Sequence, residues 1–182
     1  PSWTYIATAE AAAILGIKVI FCDVDLNTFN TQADLIEPHI NDKTKAIVPV
    51  HLYGQSCDMY SVIKLAEKYK LKIIEDNAQA IGCKYTLPNG DVKYTGTLGD
   101  IGVFSLDFGK NITAGEGGLI FTDNKEYYDL MKQYFDHGHL NNPNFPRGED
   151  DFGIPGFNFR MTEIQGAIAK VQIDKLDYII NE

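Results

Sequence analysis

The sequence predicts an α/β fold in which a mostly parallel sheet is sandwiched by helices. Three features of its pattern support this prediction. Short apolar runs of strand length alternate along the chain with segments of helical periodicity. Turn-forming and acidic residues close most of the apolar runs. The 182 residues are enough for one domain with a hydrophobic core. Alternating strands and helices are typical of parallel strands joined by helical crossovers.

The first half of the chain supplies three predicted strands, at residues 18–22, 46–50 and 71–74. We expect the first of these to be buried, and we expect a short helix to begin at Asp34. After Asp58, apolar residues recur at helical spacing, which predicts an amphipathic helix with Val62, Leu65, Ala66 and Tyr69 on its inner face. The third strand is closed by Glu75 and Asp76.

The second half begins with a predicted hairpin over residues 83–97, in which Asn89-Gly90 indicates a type I′ turn. Two further strands, 103–106 and 118–122, flank a glycine-rich turn. A helix is predicted over 125–135, with Asp123 and Glu126 at the spacing of a capping box.

A long loop is predicted over residues 138–156, because this stretch is rich in glycine, proline, asparagine and charge. The pattern Thr162-Glu163-Ile164-Gln165 is a second capping-box signature and predicts the start of a helix. We expect Ile164, Ile168 and Val171 to form the inner face of that helix.

Composition and charge exclude several classes of partner. The net charge is −9 and the isoelectric point is near 4.8, which argues against a long surface that tracks a nucleic-acid backbone. The apolar runs are too short to span a membrane, and the first residues lack the pattern of a signal peptide. The three cysteines are far apart, so we expect free thiols and a cytoplasmic location.

Candidate catalytic residues follow two of the predicted strands. Ligands of open α/β sheets bind beyond the carboxyl ends of the strands, which is where Asp76 is expected. A carboxylate there can be a helix cap, an ion-pair partner or a catalytic group. Ser105 and Lys110 end a later strand, and the glycine-rich turn 115–118 follows them. A lysine that captures an aldehyde cofactor, a carboxylate for its pyridine nitrogen and a hydroxyl for its phosphate would make coherent chemistry.

Six runs of residues resemble the DegT/DnrJ/StrS sugar aminotransferases and occur in the order of that family. They are PSWTYIATAEA (1–11), PVHLYGQ (49–55), IEDNAQA (74–80), GDIGVFS (99–105), KNITAGEGG (110–118) and GFNFRMTEIQ (156–165). The resemblance implies a fold-type-I, aspartate-aminotransferase-like large domain that uses pyridoxal 5′-phosphate. Family members are longer, so the resemblance implies that residues 1–182 are the central part of this domain. The N-terminal phosphate-binding segment and a C-terminal small domain would then be absent, and we expect this piece alone to hold the cofactor weakly and to be inactive.

The roles of individual residues come from the same resemblance. Lys110 matches the lysine that bonds to the cofactor, and Asp76 matches the partner of its pyridine nitrogen. Ser105 matches a phosphate ligand. The remaining matches are Gln79 near the phenolic oxygen, Tyr5 stacked on the ring, and Asn158 reaching the cofactor phosphate of a neighbouring subunit. Asn77 stands where the family usually has alanine, and Phe157 and Phe159 replace tyrosine.

The resemblance implies amino transfer from an amino acid, with glutamate as the expected donor, to a keto-sugar that is usually nucleotide-linked. Such enzymes supply cell-surface polysaccharides such as lipopolysaccharide, and their sites are assembled in homodimers. The loop around 137–143 and 146–148 also resembles members that aminate an oxidised eight-carbon ulosonate. Two other readings are a sugar dehydratase, which has histidine in place of Lys110, and a non-catalytic paralogue, which would be expected to lose Lys110 or Asp76.

No metal site is predicted. His137 and His139 lack the further histidine or spaced carboxylate that a metal site needs. We expect the acidic pair Asp150-Asp151 to lie in a solvated loop.

Overall fold

A computed structural model describes residues 1–146 and 148–181, so Arg147 of the ulosonate-like loop lies outside the described residues. A four-stranded sheet forms its centre, and a two-stranded hairpin lies beside it. The strands in chain order are β1 Ala46–Ile47, β2 Lys72–Asp76, β3 Lys84–Thr86, β4 Val92–Tyr94, β5 Ile101–Ser105 and β6 Gly118–Phe121. The helices are α1 Ala7–Ile14, α2 Ala33–Ile36, α3 Met59–Tyr69, α4 Lys125–Phe135, α5 Glu163–Asp174 and α6 Leu176–Asn181, with 3-10 turns at Glu37–His39 and Leu52–Gly54.

The sheet order is β1-β2-β5-β6, with β3 and β4 forming the separate hairpin. The β1–β2 and β2–β5 pairs are parallel, and the β5–β6 pair is antiparallel. In the β2–β5 register, Asp76 lies opposite Val103. The predicted α/β fold with a mostly parallel sheet is therefore confirmed.

Two clusters of buried side chains hold these elements together. The first packs α3 against β1 and β2 and contains Ile36, Ile47, Cys57, Met59, Val62, Leu65, Ala66 and Ile73. The predicted inner face of α3 is thus confirmed at Val62, Leu65 and Ala66, while Tyr69 at its end is 38% exposed. The second cluster contains Leu106, Ile112, Ala114 and Ala169, and it anchors the segment that follows β5.

The predicted strand at 18–22 is wrong. This segment is extended but pairs with no strand among the described residues, and its one backbone hydrogen bond is from Ser2 N to the Cys22 carbonyl (2.7 Å). Ile20 and Phe21 are 49% and 55% exposed, so the segment is not buried either. An apolar run forms a strand only where a neighbour completes its hydrogen bonds, which the run itself does not specify.

The hairpin at 83–97 is confirmed, but its predicted type I′ turn is wrong. A type I′ turn needs positive φ at both central residues, whereas Gly90 (φ 90°) has it and Asn89 does not. Gly90 N donates to the Leu87 carbonyl (2.9 Å), which places Pro88 and Asn89 in the turn and Gly90 after it. Pro88 is the first central residue of this turn, a position at which proline is favoured in turns without positive φ there, since its ring presets φ.

Helix α4 has the predicted bounds but a different cap. The side chain of Asn124, rather than that of Asp123, accepts hydrogen bonds from Glu126 N and Tyr127 N. The second capping box is confirmed, because Thr162 and Gln165 cap α5 reciprocally. The predicted inner face of α5 is wrong, since Ile164, Ile168 and Val171 are 74%, 45% and 51% exposed, and Ala169 is the buried residue of the helix.

The described residues of the stretch 138–156 form a loop as predicted, and an antiparallel bridge between His139 and Phe152 closes it. Within the described part of the chain, no helix combines the length and apolar character needed to cross a membrane.

Candidate active site

The carboxyl ends of β2 and β5 lie side by side and carry two of the predicted site residues. Asp76 is the last residue of β2 and Ser105 is the last residue of β5. Because the two strands are parallel and Asp76 pairs with Val103, both side chains belong to the same edge of the sheet. This is the edge at which open α/β sheets bind their ligands.

The Asp76 carboxylate is held from two directions and remains partly exposed. The Thr8 hydroxyl donates to its Oδ2 at 2.6 Å, and the Ala78 backbone N–H donates to its Oδ1 at 3.1 Å. Each carboxylate oxygen has two lone pairs, so both keep capacity for a further donor. Asp76 is thus oriented by the protein and able to accept a hydrogen bond from a ligand.

Glu75 points to the opposite face of β2 and is fully buried. Its Oε2 accepts from His51 Nε2 (2.9 Å) and Gly96 N (2.7 Å), and its Oε1 accepts from Leu98 N and Gly99 N (both 2.6 Å). Burial alone would raise the pKa of Glu75, but the hydrogen bonds from His51 and from the Gly99 and Gly96 N–H groups outweigh it and hold this pKa below its usual range.

The His51 side chain completes this buried arrangement in a defined tautomer. The Cys57 backbone N–H donates to His51 Nδ1 at 3.1 Å, so Nδ1 is the unprotonated nitrogen and Nε2 carries the proton donated to Glu75. His51 therefore joins the segment after β1 to the end of β2.

The Gln79 side chain is oriented by a strained residue of the neighbouring loop. Its Oε1 accepts from the Tyr53 backbone N–H at 3.2 Å, which leaves the amide Nε2 as the group available to donate to a ligand. Tyr53 has φ 55°, a conformation that bulky residues rarely adopt. The Asn77 amide donates to the Ala80 carbonyl at 3.2 Å and fastens the loop that bears Gln79.

Ser105 presents its hydroxyl at the start of the turn that leads to Lys110. Its Oγ accepts a hydrogen bond from Asp107 N at 3.3 Å, so the hydroxyl proton can be donated elsewhere. Lys110 lies at the end of this turn, with its backbone N–H bonded to the Asp107 carbonyl at 3.1 Å. Within the described chain the half-buried Lys110 ammonium makes no ion pair.

The turn that carries Lys110 is anchored from beneath. Leu106 and Ile112, on either side of the turn, are both fully buried. The Leu106 carbonyl accepts from Thr113 Oγ1 (3.1 Å) and from Ala114 N (2.9 Å), which closes the loop around the lysine. A lysine on a packed turn is better placed for chemistry than one on a mobile loop.

The glycine-rich turn 115–118 follows directly and is pinned to α5. Gln165 Nε2 donates to the Glu116 carbonyl at 3.0 Å. Gly117 has φ 147°, and an added Cβ there would meet Met161 Cε at 3.0 Å. The turn therefore needs glycine at position 117 both for its backbone conformation and for the close approach of Met161.

Tyr5, the expected stacking residue, lies just before α1 and is 73% exposed. Near it, Trp3 Nε1 donates to the Tyr53 hydroxyl at 3.1 Å, and the Phe29 ring lies 6.3 Å from Trp3 and 6.4 Å from Tyr53 between ring centroids. These aromatic side chains border the loop that orients Gln79.

Asn158 lies in the segment that leads from the 138–156 loop to α5. It bridges to Asp136 after α4, and its Oδ1 accepts from Arg160 N at 3.4 Å. An open cavity of about 880 Å³ adjoins it, lined also by Arg160 and His139. The structure does not bring Asn158 into contact with Asp76, Ser105 or Lys110.

The same cavity contains a histidine–aspartate pair that corrects one expectation. Asp150 is 8% exposed rather than solvated, because its Oδ1 lies 2.9 Å from His139 Nδ1 and its Oδ2 accepts from Asn141 N at 2.7 Å. Among the described residues, no group of three or more histidine, cysteine, aspartate or glutamate side chains is placed to hold a metal ion.

Sequence reasoning missed Thr8 and the buried His51–Glu75 pair. Thr8 was part of a matching motif, but nothing in its neighbours indicates a contact with a residue 68 positions away. Glu75 did have a signal. It shares one face of β2 with the buried Ile73, and a carboxylate on the buried face of a strand needs polar partners.

The known proteins that resemble this chain include several named aminotransferases. It is 41% identical to the GDP-perosamine synthase of Caulobacter vibrioides over 97% of this chain and 45% of the relative. An aminotransferase structure from Psychrobacter cryohalolentis superposes with a TM-score of 0.88 at 34% identity, over 96% of this chain and 45% of the other. A sugar aminotransferase structure from Streptococcus pneumoniae, described in its PLP form, gives 0.85 at 27% identity, over 98% and 48%.

These likenesses define a class of pyridoxal-phosphate-dependent aminotransferases with the fold-type-I large domain, as the sequence predicted. The model of the DegT/DnrJ/EryC1/StrS aminotransferase family matches residues 1–182, and the chain belongs to this family. It spans about 45% of the length of the curated relatives that it matches.

Proposed function

We propose that the full-length protein containing this chain transfers an amino group from glutamate to a nucleotide-linked keto-sugar in the cytoplasm, for cell-surface polysaccharide synthesis. The observation that carries the proposal is the placement of Asp76 and Ser105 on adjacent strand ends, followed by the anchored turn that ends in Lys110. The name of the relative GDP-perosamine synthase supports a nucleotide-linked sugar. Three free cysteines are compatible with a reducing compartment.

The donors and acceptors of the site match the chemical groups of pyridoxal phosphate. Asp76 has lone pairs left for the pyridine N–H, and the Ser105 hydroxyl has a proton to donate to the phosphate. Gln79 Nε2 can donate to the phenolic oxygen because its Oε1 is already bonded to Tyr53 N. Tyr5 would cover one face of the ring. When bound, the cofactor supplies an aldehyde that captures amines and a ring that accepts the electron pair left behind when the α-proton departs.

Lys110 has two roles in this proposal. Its Nζ would hold the cofactor covalently, and as a free amine it would move a proton at the substrate carbon. Asp76 keeps the pyridine nitrogen protonated, which makes the ring an effective electron acceptor. Both residues are needed for amino transfer, which disfavours a non-catalytic paralogue. Lys110 also disfavours the dehydratase reading, which requires histidine at that position.

We further propose a homodimer in which Asn158 reaches the cofactor phosphate of the partner. The contacts of Asn158 are with Asp136 and Arg160 rather than with Asp76, Ser105 or Lys110, which is compatible with such a role. Two aromatic side chains flank it, Phe157 at 54% and Phe159 at 65% exposure, and their rings stack 5.4 Å apart between centroids. Exposed aromatic pairs of this kind are typical of protein interfaces.

The direct test is an assay of the full-length protein with glutamate and a panel of nucleotide-linked keto-sugars, following formation of 2-oxoglutarate. The proposal expects turnover of at least one sugar and none in Lys110→Ala. A second arm supplies an oxidised eight-carbon ulosonate, which the loop over 137–143 and 146–148 favours by resemblance. Turnover of the ulosonate alone would contradict the nucleotide-sugar proposal and support the ulosonate as substrate. Turnover of no substrate would contradict both proposals.

The proposal for this 182-residue piece is different. Because its relatives are more than twice as long, we propose that residues 1–182 alone hold pyridoxal phosphate weakly and are inactive. A stable visible absorbance band in the purified piece, lost in Lys110→Ala, would contradict this.

A further inference from the structure

The hydrogen bond from Thr8 to Asp76 joins two distant parts of the chain at the candidate site. The Thr8 Oγ1 lies 2.6 Å from Asp76 Oδ2, and the two residues are 68 positions apart. The contact is partly buried. A neutral hydroxyl that donates to a carboxylate forms one of the stronger side-chain hydrogen bonds, because the acceptor is charged.

Helix α1, which carries Thr8, has little packing of its own. It contains no buried residue, and Ile14 at its end is 84% exposed. The hydrogen bond to Asp76 is therefore a major tie between this helix and the sheet in the described chain. Tyr5 lies one turn before Thr8, since Thr8 N donates to the Tyr5 carbonyl at 3.4 Å. The position of Thr8 is thus linked to that of Tyr5, which lies just before the helix.

Two donors on different oxygens fix the rotation of the Asp76 carboxylate. Ala78 N binds Oδ1 from the loop after β2, and Thr8 binds Oδ2 from α1. A single donor would leave the group free to turn about its last torsion, since this rotation is broad for aspartate. With both donors in place, the remaining lone pairs point in fixed directions.

We propose that Thr8 is a positioning residue for Asp76, which orients the carboxylate toward the pyridine nitrogen of the cofactor without touching the cofactor itself. This inference rests on the proposed function, because it assigns to Asp76 the role of partner for that nitrogen. Thr8 acts through its hydroxyl, so serine at this position keeps the role and valine, which has the same shape, removes it.

The test measures equilibrium binding of two compounds to the full-length protein. One is pyridoxal phosphate, and the other is its analogue with carbon in place of the pyridine nitrogen. Both present the same aldehyde to Lys110 and the same phosphate, and they differ at the atom that Asp76 would bind. Thr8→Val should weaken pyridoxal phosphate binding about tenfold, the size expected for losing a hydrogen bond to a charged group. It should change binding of the analogue less than about twofold, and Thr8→Ser should resemble wild type for both compounds.

Thr122→Val is the matched control, since it removes a 2.7 Å hydroxyl bond to the Asp100 carbonyl at the opposite edge of the sheet. It should leave both affinities unchanged. Thr8→Ala, which puts no extra methyl group beside Asp76, should have the same effect as Thr8→Val and replaces it if that variant does not fold.

Equal weakening of the binding of both compounds would overturn the inference, because general loosening of α1 would then explain the effect. Unchanged binding of pyridoxal phosphate in Thr8→Val would also overturn it while leaving the proposed function intact, whereas a wild-type protein that binds neither compound would overturn both.

Discussion

Two neighbouring carboxylates at the end of β2 face opposite sides of the sheet and have opposite surroundings. Glu75 is fully buried and accepts hydrogen bonds from four donors, so its lone pairs are used within the protein. Asp76 is partly exposed and accepts from Thr8 and Ala78, so it can bind something more. The same chemical group thus stabilises the fold on one face and remains available to a ligand on the other.

The difference shows how a site can be both rigid and open. Glu75 binds three backbone N–H groups of residues 96–99 and the His51 ring, which fixes the end of β2 from below. With the backbone fixed there, the two donors to Asp76 need only set the rotation of its side chain. A substitution on the face of Glu75 should therefore affect stability, and one on the face of Asp76 should affect cofactor binding and activity.

The largest expected effect lies on the open face. Lys110→Ala in the full-length protein should lower kcat by about three orders of magnitude or more, because in the proposed mechanism it removes both the covalent attachment and the proton carrier. Steady-state amino transfer measures this effect. Lys125→Ala, a change at an exposed lysine of α4, is the control and should retain full activity. Comparable loss of activity in both variants would indicate a nonspecific effect and contradict the assignment.

Glu75→Ala tests the buried face. It leaves the His51 Nε2–H and the backbone N–H groups of Gly96, Leu98 and Gly99 without their acceptor. The free energy of unfolding should fall by about 3–5 kcal/mol, as for other broken buried pairs. Urea denaturation of the full-length protein measures this change. A loss below about 1 kcal/mol, the range of an ordinary surface substitution, would contradict the contrast between the two faces.

Asp76→Asn tests the open face by replacing the second carboxylate with an amide. We expect kcat/KM for amino transfer to fall about a hundredfold, which corresponds to roughly 2.7 kcal/mol of lost transition-state stabilisation. The free energy of unfolding should change by less than about 1 kcal/mol, since the carboxylate is partly exposed. If Asp76→Asn were mainly a stability mutant, the two faces would not differ as described.

The smallest expected effect is a dependence of stability on acid pH. The folded-state pKa of Glu75 is held below 4.5 by its hydrogen bonds from His51, Gly99 and Gly96, despite the opposing effect of burial. A carboxyl with a lowered folded-state pKa contributes stability that is present above its unfolded pKa and is lost as the pH falls through the folded value. Urea midpoints should therefore fall on acidification below about pH 4.5, and Glu75→Gln should flatten this dependence. An unchanged slope in Glu75→Gln would mean that another group is responsible.

Local pattern predicted the elements whose signals lie within one turn or one strand. The inner face of α3, the bounds of α4 and the Thr162–Gln165 capping box all follow from residues a few positions apart. The run at 18–22 failed because a strand depends on a neighbour that the run does not specify. The exposure of Ile164 and Ile168 likewise depends on what covers α5, and periodicity carries no such information.

The candidate site divides in the same way. Lys110, Asp76 and Ser105 could be proposed as site residues because their motifs are contiguous and their family is recognisable. Thr8 and His51 were not assigned these contacts, because their partners lie 68 and 24 residues away along the chain. Contacts of that separation are set by the fold, so the supporting hydrogen bonds of a site are the part that sequence predicts least.

Chemical reduction tests whether Lys110 carries the cofactor, as proposed. Full-length protein loaded with pyridoxal phosphate is treated with borohydride, which converts the lysine–cofactor bond into a stable amine, and the labelled residue is then located by peptide mass spectrometry. We expect the pyridoxyl group on Lys110, with no labelled peptide from Lys110→Ala. A label on another lysine, or bound cofactor that no lysine retains after reduction, would contradict it.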